Sequence, residues 1–139
     1  MFFRKQPNRE TYRTTTWRSM NPLDRACILL VAEGLKPSAH CGASISEEIR
    51  TFLQKELNIY FTMDRMKTTW KLGGIGMLTP HKVYTVCASD RILRKWLRVP
   101  LTGTARRWWK IEGTLLGYPR CCIKEWGRRT KRINIDIIK

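Results

Sequence analysis

This chain is short of acid: its 139 residues carry 11 Asp and Glu against 27 Lys and Arg, a formal net charge of +16. So one-sided a balance disfavours cationic partners and makes polyanions, bound with release of their counterions, the first class to consider. Long apolar runs are missing as well. The longest, residues 26–32, is far short of the roughly 20 residues of a membrane-spanning helix, which excludes membrane insertion. Histidine occurs only twice, and the 5 cysteines form no C-x₂₋₄-C knuckle, which argues against a structural zinc site. The run Leu72-Gly73-Gly74-Ile75-Gly76 is followed by no Gly-Lys-Ser/Thr and leads into strand spacing rather than a helix. It is read as a flexible hairpin connection, not a phosphate loop. The opening residues lack the apolar core of a secretory signal, so the expectation is a cytoplasmic chain with an odd number of reduced thiols.

What is present is enough for one core: 42% hydrophobic and 10% aromatic residues in a chain of single-domain length. The charge is unevenly placed. Across residues 26–90 seven Lys and Arg face six Asp and Glu, whereas residues 91–132 hold thirteen cations against Glu112 and Glu125 alone. Trp96, Trp108, Trp109 and Trp126 are interleaved with those cations, and flat rings among arginines suit stacking on unpaired bases.

Residues 1–20 show no sustained periodicity and read as a flexible basic arm bearing Arg4, Lys5, Arg9, Arg13 and Arg18. Residues 21–139 read as one domain with a basic helical section over 89–132. Asn21-Pro22 opens a helix through Glu33, stopped by Gly34 and Pro37. A short strand over 38–43 precedes Ser44-x-x-Glu47, which has the spacing of a capping box. Alternation near residues 59–63 and 82–88 marks two strands with a glycine loop between them. Ser89-Asp90 caps a helix, further helices span 105–116 and about 120–129 with Gly117-Tyr118-Pro119 between, and Ile133, Ile135 and Ile137 suit a last strand. The predicted fold is α+β: a small sheet of about four strands packed with helices, and a basic helical hairpin near the C-terminus.

The cations expected to contact phosphate are Arg94, Lys95, Arg98, Arg106, Arg107, Lys110, Arg120, Lys124, Arg128, Arg129, Lys131 and Arg132, with Trp108 and Trp109 as stacking rings. RNA, in a setting such as a ribonucleoprotein assembly, is favoured over DNA. A helix-turn-helix over 105–129 is the DNA-binding alternative, but the segment has no Asn or Gln, the residues suited to reading adenine. No catalytic residue and no cofactor are expected. The competing class is a cysteine-dependent enzyme or metal-binding module centred on Cys121 and Cys122, with His40, Cys41 and His81 as further candidate ligands. The favoured reading of Cys121 and Cys122 is structural, with Cys122, Ile123 and Trp126 turned inward.

The sequence Leu115-Leu116-Gly117-Tyr118-Pro119-Arg120-Cys121-Cys122-Ile123 resembles the Leu-Gly-Tyr-Pro-x-Cys-Cys element of an uncharacterised, mainly archaeal domain family of unknown function. Gly34-Leu35-Lys36-Pro37 is a second, shorter echo. The resemblance implies an archaeal or archaeal-virus origin and brings no activity with it.

Overall fold

The computed structural model describes residues 5–42, 45–72, 75–99, 102–129 and 134–138, of which residues 63–72, 75–83, 102–106, 108–109 and 134–138 are described by backbone alone. Helix ends follow their capping side chains. Asn21 Oδ1 accepts from the Leu23 N–H ahead of Pro22 and opens α2 (Pro22–Ala32), after a single-turn α1 (Thr15–Arg18). Ser46 Oγ accepts from Ile49 N to open α3 (Glu47–Leu57), so the cap is Ser46 and not Ser44, which lies outside the described residues. Ser89 Oγ does the same for Ile92 N at α4 (Asp90–Leu97). At the end of α2, Gly34 stands at φ 76 and gives its N–H to Val31 O while Leu35 N–H reaches Leu30 O. That paired capture of the last carbonyls needs a left-handed residue, which glycine adopts without steric cost.

The fold is α+β, as expected. Among the described residues the sheet has five antiparallel strands in the order β1-β3-β2-β5-β4: β1 (Ser38–Cys41), β2 (Tyr60–Leu72), β3 (Ile75–Cys87), β4 (Thr102–Thr104) and β5 (Asn134–Ile138). The strand beyond the expected four is β4, three residues long and too short to show alternation. The anticipated glycine loop is also much shorter than its sequence suggested. β2 and β3 stay paired until Leu72 meets Ile75, leaving Gly73 and Gly74, outside the described residues, between them. Thr68, Thr69 and Trp70 favour strand, and continued pairing satisfies backbone groups that a loop would leave to water. β1 joins this ribbon at one end, opposite Tyr84–Cys87, and β5 joins it at Lys67–Lys71.

Strand alternation divides the β1/β3 end into two faces. Ala39, Cys41 and Val86 enter the larger core with Ile28, Val31, Leu53, Leu57 and Ile59 of the α2/α3 side. Cys87 enters a second cluster with Trp96, Leu115 and Leu116. Full burial of a residue such as Leu53 or Ile28 contributes about 1.5–3 kcal/mol.

Residues 5–20 are not a flexible arm. A 3₁₀ turn over Arg9–Arg13 leads into α1, and Trp17 and Met20 are buried in the larger core beside Tyr12. Asn8 N–H donates to Glu56 O at 2.9 Å, and Arg9 and the Tyr12 hydroxyl both donate to the Glu33 carboxylate. Composition misled here because Tyr12, Trp17 and Met20 are too few to sustain a period, yet one buried indole outweighs the surrounding charge. Trp17→Ala should therefore cost about 3–5 kcal/mol. A urea-unfolding midpoint that falls accordingly checks this, whereas a dispensable arm would leave it unmoved.

Candidate nucleic-acid interface

The basic section is built on α5 (Ala105–Leu115) and α6 (Arg120–Arg129). α5 ends as α2 does: Gly117, at φ 77, donates to Thr114 O, and Tyr118 N–H reaches back to Gly113 O. Pro119 O then receives the first bonds of α6, from Cys122 N and Ile123 N. The two helices approach closely at Gly113, where an added Cβ would stand 3.0 Å from Ile123 Cγ1. Ile123 and Gly127 make the inward stripe of α6, leaving Cys122 exposed and Trp126 46% exposed. The expected inward face was thus right for Ile123 and wrong for Cys122 and Trp126. It assumed that the larger apolar residues mark burial, whereas here small residues set how near the helices come.

Two tethers hold this hairpin on the sheet. Ser38, fully buried on β1, donates its hydroxyl to Leu115 O and accepts from Trp96 Nε1 at 2.8 Å. His40, two residues along the same face, sets Nδ1 against Thr85 Oγ1 and Nε2 against Glu112 Oε1, both at 3.0 Å. Ionised, Glu112 only accepts, which places a proton on His40 Nε2. Cys41 points to the opposite face and is buried with its thiol pKa pushed up by desolvation, so His40 and Cys41 cannot share an ion. His81 stands opposite Met66 in the ladder, its side chain outside the described residues. No cluster of three or more metal-ligating side chains occurs among the described residues.

Between α5 and α6 lies a groove of about 690 Å³ lined by Lys110, Thr114, Tyr118, Arg120, Ile123 and Lys124. No carboxylate pairs with Lys110, Arg120 or Lys124 among the described residues. Arg120 and Lys124 are four apart on one helix, a like-charge spacing that costs roughly 0.2–0.5 kcal/mol until an anion enters. Tyr118, 47% exposed, carries Lys36 Nζ 5.3 Å from its ring centroid. The two short elements of the resemblance, 34–37 and 117–119, meet here: a Cβ on Gly117 would fall 2.8 Å from Pro37 Cδ.

None of the other expected cations lines this groove among the described residues. Arg107 is exposed on α5, and Arg94, Lys95 and Arg98 are exposed along α4 and its end, with Arg94 held by Asp90 at 2.7 Å. Arg128 and Arg129 share Glu125, whose carboxyl they pull down to about 2, Arg128 more strongly. The side chains of Arg106, Trp108 and Trp109, and all of Lys131 and Arg132, lie outside the described residues. Sequence reasoning missed Tyr118 as a groove residue and Glu125 as a clamp. The second was legible, since Glu125 precedes Arg128 and Arg129 at helical pairing distances.

Gly117→Ala would force a left-handed alanine into Pro37, at a cost of about 2 kcal/mol or more. Thermal unfolding checks this directly. No helix among the described residues is long and apolar enough to cross a membrane. No protein-family model, curated protein or solved structure matches this chain.

Proposed function

We propose that the chain binds nucleic acid, RNA in preference to DNA, with phosphates seated between Lys110, Arg120 and Lys124 and a base laid against Tyr118. The observation that carries this is the groove itself: cations without carboxylate partners among the described residues, around an aromatic wall, on a chain of formal charge +16. Exposed Tyr118 and Trp126 favour single-stranded or irregular RNA over a stacked duplex. A larger ribonucleoprotein assembly is a natural setting for such a surface. The helix-turn-helix mode has less support, because neither helix carries Asn or Gln and Arg128 and Arg129 are drawn onto Glu125. A cysteine-dependent enzyme with His40 as base has less still, since both ring nitrogens of His40 are engaged by Thr85 and Glu112.

Replacing Lys110, Arg120 and Lys124 by Ala should weaken binding to a single-stranded RNA by about tenfold or more and flatten the plot of log affinity against log salt by about 2. Fluorescence anisotropy at several salt concentrations reads both, with circular dichroism as the control for folding. An unchanged slope would sink the proposal.

Glu125→Gln should act in the opposite direction, raising affinity by freeing Arg128 and Arg129. The pH dependence has a fixed sign. Because the folded pKa, about 2, lies below the unfolded value, the contribution of this clamp is present above about 4.3 and is lost as pH falls toward 2. A carbon-detected NMR titration of Glu125 would show its midpoint well below the ordinary glutamate value of about 4.3.

A further inference from the structure

Cys121 and Cys122 take no part in the binding mode above, yet they are the two exposed thiols of the five in the chain. They sit in the first turn of α6 with their Sγ atoms 3.9 Å apart. Residues 117–122 are exposed without interruption, so nothing among the described residues covers the pair.

That separation is informative. Two thiolates bound to one tetrahedral ion at about 2.3 Å stand about 3.8 Å apart, so the side chains already hold the bite of a two-point chelate. A disulfide would need the sulfurs at about 2.05 Å and a different first turn. The pair is nonetheless only half a site, because no third His, Cys, Asp or Glu joins it among the described residues.

We propose that Cys121 and Cys122 from two copies of this chain together bind one zinc-class divalent cation in a tetrahedral four-thiolate site. Its formation makes four metal–sulfur bonds, releases four protons to solvent and changes no oxidation state. Arg120 and Lys124 repel a free cation, but four thiolates around a divalent ion carry net negative charge, which these neighbours on each copy offset. The two-thiolate complex of one chain lacks that advantage. Repulsion between two chains of formal +16 is screened beyond about 8 Å at physiological salt.

The test is titration of the reduced full-length chain with Co(II), followed by Zn(II), at physiological salt. Expected are sulfur-to-cobalt charge-transfer absorption and intense visible bands that saturate at one Co(II) per two chains. Zn(II) should bleach them, and sedimentation velocity should show a dimer that EDTA returns to monomer. Cys121→Ser and Cys122→Ser should each abolish both signals, whereas Cys27→Ser should keep them, all three with native circular dichroism. Saturation at one ion per monomer, bands that survive either serine variant, or the absence of thiolate bands would overturn the proposal.

Discussion

A buried hydroxyl is the central tie between the two halves of this protein. Ser38 lies on the edge strand of the sheet and joins the indole of α4 to the last carbonyl of α5, two polar groups that burial would otherwise leave without a partner. Pro37, beside it, packs on Gly117, and its carbonyl accepts from Ala88 N–H. The near-neutral scaffold and the cationic section meet through directional bonds from Ser38 and His40, and the modest apolar cluster of Trp96, Leu115 and Leu116 fills in around them.

That attachment decides where the charge goes. With α5 held by Ser38 and by the His40–Glu112 contact, its remaining faces are left for α6 and for solvent. Gly113 lets α6 come close enough for Ile123 to pack, and the closeness of the helices brings Lys110 of one toward Arg120 and Lys124 of the other. Glu112 is buried beneath and Glu125 is spent on two arginines, so the few acids of this section do little to neutralise the groove.

Much of this was legible. Asn21-Pro22, Ser89-Asp90 and Gly117 each place a helix end correctly, because caps and left-handed stops are local chemistry. The alternation of residues 82–88 likewise separates Val86 from Cys87 onto opposite faces. What stayed hidden depends on residues distant in sequence. Trp17 becomes core only as part of a cluster that also draws on α2, α3 and the sheet. The outward turn of Cys122 and Trp126 follows from a glycine on another helix. The length of the β2–β3 ribbon was masked by charges and threonines that break hydrophobic alternation without breaking backbone pairing. Of the candidate interface, the residue types and the segment were readable, while the selection of Lys110, Arg120 and Lys124 from thirteen cations was not.

The bond from Ser38 to Leu115 spans 77 positions, and this has a consequence for how the protein is made. During synthesis β1 emerges long before β3, and β3 before α5, so the serine hydroxyl stays hydrated until most of the chain has been added. At about 5–20 residues per second, that interval is several seconds. α2 and α3 can collapse early, but the opposite face of the sheet has nothing to close against it. Contacts so distant in sequence slow folding, because the loop must be closed before any of them is rewarded. The last third of the chain therefore governs when the first third becomes secure.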